Sequence, residues 1–337
     1  MQAFIYYPEW MSAEIIPGLP FRWYAVTYLI AFGIAYLLMK YQAKHDPIED
    51  KLSENEVSSF VFWVIWGLII GARLFGTLVY DKSGLYWEKP YLIVFPFQNG
   101  KFTGLQGMSY HGGLIGGLLA AFFFCRKYKK NYLALTDMAM ASIPLGYTFG
   151  RIGNFLNAEL YGKVTASPIG MIFPTAPAFS IKDKWVENFV QNNGLEGLVN
   201  NGMINLPRYP SQLYEAFFEG VALWLVLWFI FRKRRKFDGQ MLSLYLIGYG
   251  VARFFIEYAR EPDNGIGYVI KFFPSMDNIH LFQTYFNFSL GQIFCLLMIF
   301  AGIGSFFFFK ARAVRLAKNA EETKPKKSAR QIRKKIK

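Results

Sequence analysis

Residues 58–80 read SSFVFWVIWGLIIGARLFGTLVY, an apolar run of 23 residues that contains one charged side chain, Arg73. About 20 mainly apolar residues are enough for a helix to cross the hydrocarbon core of a bilayer. The whole chain is 53% hydrophobic and 19% aromatic, which exceeds ordinary soluble usage. The run therefore predicts a membrane-spanning helix and places the chain in the membrane class.

Six further windows approach or reach this length. They lie at residues 21–39, 112–125, 133–150, 212–231, 241–258 and 288–309. The window 112–125 is short and rich in glycine, so its helix either packs tightly against neighbouring helices or begins inside the membrane. Together the seven windows predict an all-α integral membrane protein with about seven transmembrane helices.

The basic residues lie in short blocks between the apolar runs. Of 37 Lys and Arg residues, 24 fall at 40–56, 126–130, 232–236 and 310–337. With seven spans these blocks share one side, and the positive-inside rule makes that side cytoplasmic, with the N-terminus outside and the C-terminus inside. The long segments 81–110, 151–211 and 259–287 then face outward. The net charge of +14 is therefore interpreted as a topology signal, and no nucleic-acid partner is expected.

The chain divides by composition into two parts. We expect residues 1–310 to form a polytopic membrane domain and residues 311–337 a basic, disordered cytoplasmic tail, because the tail has almost no apolar content. The N-terminus lacks the features of a cleaved signal peptide, so the first apolar segment should remain in the protein. Cys125 and Cys295 are not accompanied by a Cys/His cluster with metal-ligand spacing, so neither a disulfide nor a metal site is expected.

The window 241–258 carries a polar stripe. Tyr249, Arg253, Glu257 and Arg260 stand at offsets 0, 4, 8 and 11, which places all four on one helical face. Ionisable side chains within spans are costly and mark candidate functional sites. The alternative is a structural Arg253–Glu257 pair whose charges neutralise each other between helices.

A second polar group ends the window 133–150. The sequence GYTFGRIGNFLNAELYGK, residues 146–163, supplies Arg151, Asn154, Asn157 and Glu159 within nine residues. Its glycines allow the backbone to approach another helix or a ligand closely. The alternative is a helix C-terminus with a glycine-rich exit and an Arg151 side chain that extends to the interface.

Other polar residues are more ambiguous. His111 can act as a base or hydrogen-bond a ligand, but a single histidine at a membrane edge is often only interfacial. Tyr24 begins the first window, where an aromatic belt is the default interpretation. In RYPSQLYEAFFEG, residues 208–220, Ser211 is expected to cap a helix, and Glu215 and Glu219 lie one turn apart.

Taken together, these motifs resemble the bacterial prolipoprotein diacylglyceryl transferase family. The strongest match is GRIGNFLNAELYG at 150–162, and HGG at 111–113, YPSQLYEA at 209–216 and the stretch 249–263 agree in order and spacing. The resemblance covers roughly residues 6–310. Gln106 stands where the family commonly has glycine, and the outward segments 178–205 and 263–287 are longer than typical, so the outer arm is expected to differ.

The resemblance implies a multi-pass enzyme of the bacterial cytoplasmic membrane. Its substrates would be phosphatidylglycerol and lipobox-containing prolipoproteins, and its products a thioether-linked diacylglyceryl cysteine and glycerol phosphate. The implied catalytic residues are His111, Arg151, Arg253 and Glu257. The implied headgroup-binding residues are Tyr24, Arg151, Asn154, Glu159, Gly162, Tyr249 and Arg253. Arg73 and Arg260 are weaker matches.

Such a reaction displaces a phosphate ester at a primary carbon by a thiolate. It needs anion stabilisation at the leaving group and deprotonation of a thiol with a pKa of about 8.5. Arg151 and Arg253 can hold phosphate oxygens by forked hydrogen bonds. Asn154 would orient the headgroup, while Glu159 and Glu257 would position the arginines and limit unpaired charge.

Some functional questions stay open at the level of sequence. His111 either accepts the thiol proton or binds headgroup hydroxyls. The chain has no nucleotide-binding loop, so no cofactor is expected. A transporter of an anionic solute is the rival from another class. A metal-dependent headgroup phosphotransferase is a second rival, but it usually needs clustered aspartates, whereas Asp137 and Asp238 are isolated in the sequence.

Overall fold

The computed structural model describes residues 4–15, 22–46, 52–95, 97–98, 101–102, 107–262 and 265–322. Eight helices of ten residues or more occur in this part of the chain. They are α1 (Trp23–His45), α2 (Glu54–Tyr80), α3 (Tyr110–Tyr128), α4 (Tyr132–Leu156), α5 (Lys184–Asn193), α6 (Ser211–Arg234), α7 (Gln240–Ile256) and α8 (Leu290–Glu322). The last turn of α2, Gly76–Tyr80, is π-helical, as are Glu215–Ala222 and Val226–Phe231 within α6.

Each apolar window of the sequence coincides with one of the seven long helices. Four of them, α1, α2, α6 and α8, are long and apolar enough to cross a membrane, and α7 is a shorter apolar helix. The prediction of a largely helical, multi-pass membrane protein is confirmed to this extent. The number of spans and their orientation stay predictions.

Helices α2 and α3 pack through glycine on both sides. Gly67 and Gly71 of α2 face Gly112 and Gly116 of α3, and a Cβ at Gly116 would lie 2.9 Å from Gly71 Cα. Small residues four apart let two helix backbones approach closely, which is a common packing mode in membranes. The glycine-rich window therefore forms a tightly packed helix. Ser109 caps its N-terminus, because the Ser109 hydroxyl accepts a hydrogen bond from Gly112 N.

Buried ion pairs join the helices at the end that carries the basic loops. The carboxylate of Asp46, just after α1, lies 3.1 Å from Arg232 Nη1 at the end of α6, and the Arg232 guanidinium stacks over Trp228 at 3.9 Å. Asp137 of α4 accepts hydrogen bonds from Gly239 N (2.9 Å) and Leu242 N (3.0 Å) at the start of α7. These contacts fix the relative positions of α1, α4, α6 and α7.

The segments at the opposite end contain short strands that the all-α prediction did not include. They are β1 (Ile5–Tyr6), β2 (Phe97–Gln98), β3 (Lys101–Phe102), β4 (Met171–Ile172), β5 (Phe179–Ser180), β6 (Met203–Ile204), β7 (Tyr268–Lys271) and β8 (Asn287–Ser289). β1 pairs with β4 in parallel, and β2–β3, β5–β6 and β7–β8 are antiparallel. Outside the long helices, these turns and short ladders satisfy the backbone groups of the segments.

A small separate core supports this end. Its buried members are Val164, Val186, Val190, Leu195, Ile204 and Leu206, from α5, β6 and the adjoining loops. The core anchors the chain between α4 and α6, which contains the second half of the motif GRIGNFLNAELYG, residues 157–162. The loop that follows α4 therefore packs against a hydrophobic core of its own.

Helix α8 extends beyond the expected end of the membrane domain. Residues 311–322, which were expected to be part of a disordered tail, continue the helix to Glu322. This stretch contains Ala, Leu, Arg and Lys, which favour helix even without burial. Residues 323–337 of the predicted tail lie outside the described residues.

Candidate active site

Three arginines and three glutamates meet at the end of the bundle opposite the basic loops. They are Arg151 near the end of α4, Glu215 and Glu219 in α6, Arg253 and Glu257 at the end of α7, and Arg260 just beyond it. The arginine side chains are 17–19% exposed, whereas those of Glu215 and Glu219 have no exposed surface. The structure thus brings the polar groups of α4 and α7 together, with α6 between them.

Glu215 is the centre of this arginine–glutamate cluster. Its Oε2 lies 2.8 Å from Arg151 Nε, and its Oε1 lies 3.2 Å from Arg253 Nη1. Oε1 also accepts a hydrogen bond from Arg260 Nη1. One buried carboxylate therefore links three guanidinium groups that come from two helices and the loop after α7.

The other two carboxylates complete the charge balance. Glu219 lies 3.6 Å from Arg253 Nη1 and accepts a hydrogen bond from the hydroxyl of Tyr147. Glu257 lies 3.3 Å from Arg253 Nη2 and accepts a hydrogen bond from Ser289 Oγ at 3.2 Å. The Arg253–Glu257 pair exists, as the structural alternative requires, but it is one part of a network of six charges.

Some donors of the cluster keep unused hydrogen-bond capacity. Among the described residues, buried Arg253 Nη1 and Arg260 Nε have ion-pair distances but no partner with hydrogen-bond geometry. Both nitrogens are buried and face carboxylate oxygens, at 3.2 Å for Arg253 Nη1 and 3.6 Å for Arg260 Nε. They are therefore held by charge and not by well-aligned hydrogen bonds.

Asn154 connects the arginines to Glu159. Its Oδ1 accepts a hydrogen bond from Arg151 Nη1 (3.4 Å), and its Nδ2 donates to Glu159 Oε1 (2.9 Å). Asn157 Nδ2 also donates to Glu159 Oε1, at 3.4 Å. Arg151, Asn154 and Glu159, all predicted as site residues, thus form one chain of contacts.

The backbone around Glu159 is strained. Its neighbours Ala158 (φ 51°) and Leu160 (φ 57°) adopt the left-handed conformation without being glycine. This conformation costs on the order of 1–3 kcal/mol for each residue. Gln212 Nε2 donates to the Glu159 carbonyl and Ser211 Oγ donates to the Leu160 carbonyl at 3.1 Å. Ser211 was expected to cap α6, but its hydroxyl is used to hold this loop instead.

Gly162 lies where the loop after α4 meets the chain after α7. Its N–H donates to Tyr209 O at 2.8 Å, and it forms a β-bridge with Arg260. A Cβ at Gly162 would lie 3.1 Å from the carbonyl carbon of Ala259 and 3.1 Å from Tyr209 Cβ. Glycine is therefore required here by the close approach of two backbone segments, and the structure gives Gly162 a positioning contact with Arg260.

The two predicted tyrosines border the cluster on different sides. The Tyr249 ring lies edge-on to Tyr147 at 6.0 Å, and Tyr147 in turn accepts a hydrogen bond from Arg151 Nε at 2.6 Å. Tyr24 of α1 packs beside Gly153 of α4, and its hydroxyl pairs with a hydroxyl of the same helix. Tyr249 therefore adjoins the cluster through one side chain, and Tyr24 adjoins the helix that carries Arg151.

His111 stands apart from the arginines. At the start of α3, its Nδ1 shares a hydrogen bond with the Tyr80 hydroxyl at 2.9 Å, and its ring lies edge-on to Tyr110. No hydrogen bond or ion pair joins His111 to Arg151 or Arg253 within the described part of the chain. Its placement at the exposed end of α3 leaves it open to a ligand.

Arg73, a weaker candidate from the sequence, has structural partners. Its Nε and Nη2 donate to the carbonyls of Ile93 and Leu92, both at 2.7 Å, and its guanidinium lies over the Tyr86 ring. The side chain is buried against the loop after α2. It therefore fixes that loop rather than extending the cluster.

Asp137 and Asp238 are far apart in the sequence but meet at the basic end of the bundle. Arg235 lies 3.5 Å from Asp137 and 3.1 Å from Asp238. Although isolated in the sequence, the two aspartates share Arg235 because the turn between α6 and α7 brings Asp238 back onto α4. Both carboxylates are neutralised by Arg235, and the pair lies at the other end of the bundle from the cluster.

Glu215, Glu219 and Tyr147 were not among the predicted site residues. The sequence did contain a signal for the two glutamates. Two carboxylates one turn apart in an apolar helix are as costly to place in a membrane as the charged side chains of α7. The predicted stripe on α7 also needs a correction, because α7 ends at Ile256 and Arg260 follows a turn. Arg260 still reaches the cluster, through Glu215.

Two charged groups of the loops beneath the cluster have shifted pKa values. Burial lowers the pKa of Lys163 to about 8 despite the carboxylates of Glu257 and Glu261 nearby. For Glu261, burial acts to raise the pKa, but hydrogen bonds and charge from His280 and Arg208 outweigh it and hold the pKa below its usual value. These groups lie outside the seven long helices and support the loop that carries Gly162, whose carbonyl accepts a hydrogen bond from Arg208.

Comparison with known families identifies this arrangement. The model of the prolipoprotein diacylglyceryl transferase family matches residues 11–308. The chain belongs to the prolipoprotein diacylglyceryl transferase family. The match includes all six charged residues of the arginine–glutamate cluster, so the resemblance inferred from the motifs is confirmed.

Individual family members are similar over nearly their full length. The phosphatidylglycerol–prolipoprotein diacylglyceryl transferase of Treponema denticola is 51% identical over 318 residues, which is 89% of this chain and 93% of that protein. The Treponema pallidum protein of the same name is 48% identical, over 91% of this chain and 96% of its own. The one from Chlorobaculum tepidum is 42% identical, over 91% and 92%.

Membership of the prolipoprotein diacylglyceryl transferase family classifies the chain as a transferase and does not favour the transporter alternative. The roles of single residues remain predictions. Arg151, Asn154 and Glu159 form one chain of contacts, and Glu215 links it to the Arg253–Glu257 pair. His111 and Tyr24 have no hydrogen bond to that group among the described residues.

Proposed function

We propose that this protein transfers the diacylglyceryl group of phosphatidylglycerol to the lipobox cysteine of a prolipoprotein. The cysteine thiolate attacks the primary glyceryl carbon, so that a C–S bond forms as the C–O bond to phosphate breaks. The electron pair of that bond leaves on the phosphate oxygen, and glycerol phosphate is released. The thiol proton passes to a base, and no oxidant or cofactor is required by this balance.

The convergence of Arg151 and Arg253 on one buried carboxylate carries the proposal. The two guanidiniums come from different helices and are held by Glu215, at 2.8 and 3.2 Å. They are positioned before substrate binds, so they stabilise the developing charge on the leaving phosphate with little reorganisation. In a site that excludes most water, each such interaction has a larger effect than in bulk solvent.

The remaining residues orient the headgroup. Asn154 and Glu159, linked at 2.9 Å, offer an amide and a carboxylate to the glycerol hydroxyls of the donor. Glu257 holds Arg253 from the opposite side to Glu215. Tyr24, Tyr249 and Gly162 border this group and complete the proposed headgroup site.

Two roles fit His111. As a base it would take the thiol proton through the ring nitrogen that does not face Tyr80. As a binding residue it would hold a headgroup hydroxyl while water takes the proton. The first role predicts a lowered kcat with an unchanged KM in a His111→Gln variant, and the second predicts a raised KM for phosphatidylglycerol in the same variant.

For the membrane arrangement, we propose seven spans formed by α1 to α4 and α6 to α8, in the cytoplasmic membrane of a bacterium. The basic blocks favour an N-terminus outside and a C-terminus in the cytoplasm. This orientation puts the cluster on the outer side. Residues 1–310 then form the transferase domain, and residues 311–337 a basic cytoplasmic extension.

The test is a direct assay of product. Purified protein is incubated with phosphatidylglycerol in mixed micelles and a lipobox peptide with one cysteine, and the peptide is followed by mass spectrometry. We expect a diacylglyceryl mass gain that a Cys-to-Ser peptide abolishes.

The Arg151→Lys and Arg253→Lys variants should lose most of the activity, because lysine cannot make the forked contact. Arg234→Lys, an exposed change at the other end of α6, is the matched control and should stay active. A folded wild-type protein that gives no mass gain with phosphatidylglycerol and several peptides would overturn the proposal.

A further inference from the structure

The segment between α7 and α8 forms a hairpin with an unusual distribution of polarity. We call residues 268–289 the aromatic hairpin; it contains β7, β8 and the turns between them. Its exposed large side chains are Val269, Ile270, Phe272, Phe273, Met276, Phe282, Tyr285 and Phe286, which are 37–66% exposed. Lys271 and Asp277 are its exposed charged residues, and they pair with each other at 2.9 Å.

Two polar side chains of the aromatic hairpin, Asn287 and Ser289, point inward, whereas Lys271, Ser275, Asp277 and Gln283 are exposed. Asn287 is 1% exposed, donates to Phe273 O (2.9 Å) and Met276 O (2.7 Å), and accepts from Phe273 N. Ser289 is also buried and donates to Glu257. The hairpin is therefore a well-bonded structure that buries two polar side chains and exposes most of its large apolar ones, unlike a hairpin that faces water on one side.

The exposed apolar surface is too large for a water-facing loop. At these exposures an aromatic side chain leaves on the order of 100 Å² accessible. Eight large apolar side chains together then exceed the few hundred Å² of contiguous apolar surface that soluble proteins usually show. Something other than water covers this face in the native membrane.

The surface is continuous with the outside of the helical bundle. Phe255, in the last turn of α7, is 65% exposed and contacts Phe254, which contacts Phe288 of β8, which contacts Phe272 at the end of β7. α8 begins at Leu290, directly after β8, and exposes Phe294 and Leu297. The aromatic hairpin thus extends the surface by which α7 and α8 face lipid.

We propose that the aromatic hairpin inserts into the interfacial layer of the adjoining leaflet and is covered by phospholipid. Aromatic side chains are favoured at the level of the lipid headgroups, and the Lys271–Asp277 pair is compatible with that wet region. The inference depends on α7 and α8 crossing the membrane and does not depend on the proposed reaction. It assigns the long segment after α7 a role as a membrane-surface anchor beside the arginine–glutamate cluster, to which Ser289 connects it.

The test measures the surroundings of the hairpin directly. Single cysteines are introduced by Phe272→Cys, Phe286→Cys and Ser275→Cys, after the buried Cys125 and Cys295 are changed to serine. Ser275→Cys leaves every aromatic ring in place, which keeps the test valid if a Phe variant misfolds. Each site carries a nitroxide, and the protein is placed in phosphatidylglycerol nanodiscs.

Collision with oxygen is compared with collision with a water-soluble nickel chelate. Leu297→Cys on α8 is the lipid-facing reference and Asn192→Cys on α5 the water-facing reference. We expect the oxygen-to-nickel ratio at residues 272 and 286 to be several-fold above that at 192 and close to that at 297, with residue 275 between the two references. Ratios equal to the Asn192 reference would overturn the proposal, as would low collision with both reagents, which would indicate a protein partner or a second copy. Because the readout does not use activity, failure of the reaction assay leaves it interpretable.

Discussion

Replacement of Glu215 by glutamine tests whether one buried carboxylate organises the site. Glu215 has no exposed side-chain surface and contacts Arg151, Arg253 and Arg260. Glutamine keeps the size and one acceptor oxygen but removes the negative charge. In the variant, three guanidiniums would face two carboxylates, and no other described carboxylate lies within ion-pair distance of Arg151.

The expected magnitude follows from burial. Removing one partner of a buried ion pair typically lowers the free energy of unfolding by about 3–5 kcal/mol. We expect a loss of about 3 kcal/mol here, because the arginines are 17–19% exposed and glutamine still accepts one hydrogen bond. Misplacement of a positioning group by about 1 Å can lower a rate about 100-fold. Since Arg151 and Arg253 share Glu215, we expect a loss of about 100-fold or more in kcat/KM.

Glu219→Gln is the matched control, because Glu219 lies one turn further along α6 and is equally buried. It lies 3.6 Å from a single arginine, Arg253, so its loss should reduce activity by about tenfold or less and destabilise the protein less. Turnover is measured by mass spectrometry of the peptide, and stability by thermal unfolding in one detergent. Near wild-type activity and melting temperature for Glu215→Gln would refute the reasoning, and so would equal defects in the two variants.

Three further outcomes follow from the packing and charges. Gly33→Ala should stabilise α1 by up to about 1 kcal/mol, because no atom lies within 4 Å of the added methyl. Gly116→Ala should instead lower the melting temperature, because the added methyl forces α2 and α3 apart. Shifts of the melting temperature with the same sign in the two variants would contradict this reasoning. The pKa of Lys163 is about 8 in the folded protein and 10.5 in its ordinary state. Between pH 8 and 10.5 the unfolded chain therefore binds more protons than the folded protein. The free energy of unfolding should rise by about 3 kcal/mol across this pH range. The melting temperature of wild type relative to Lys163→Met should therefore increase from pH 7 to 10, and a constant difference would disprove the shift. Asp46→Asn should cost about 3 kcal/mol by leaving buried Arg232 without its carboxylate, while the activity of the folded fraction, assayed at a temperature where the variant is folded, should stay unchanged.

The long apolar helices could be predicted from the sequence because hydrophobic length is a local property. The windows at 212–231 and 241–258 coincide with α6 and α7, and the arginine and glutamate of α7 were found from their cost in an apolar run. The order and spacing of the motifs also identified the family before any contact was known. These signals require no knowledge of which helices are neighbours.

The partners of each charge could not be predicted, because they depend on packing between distant segments. Glu215 and Arg253 are 38 positions apart, and Asp137 meets Asp238 only after the turn between α6 and α7. Ser211 has the sequence of a helix cap, yet its hydroxyl holds the Leu160 carbonyl because that loop returns to α6. The left-handed Ala158 and Leu160 show no sequence signal, since neither is a glycine or an asparagine.

The strain around Glu159 and the charge balance around Glu215 serve the same physical requirement. A phosphate site in a membrane must keep guanidiniums charged and oriented without water, and isolated cations there would be too costly to retain. Buried carboxylates meet this need, because Glu215 and Glu257 hold Arg253 and Arg260 in place by charge. A loop bent through two left-handed residues then brings Glu159 and Asn154 to the edge of the same cluster, where the glycerol of a lipid headgroup would lie. The ion pairs thus fix the three guanidiniums, and the bent loop fixes the amide and the carboxylate beside them, so that all of these groups form one site.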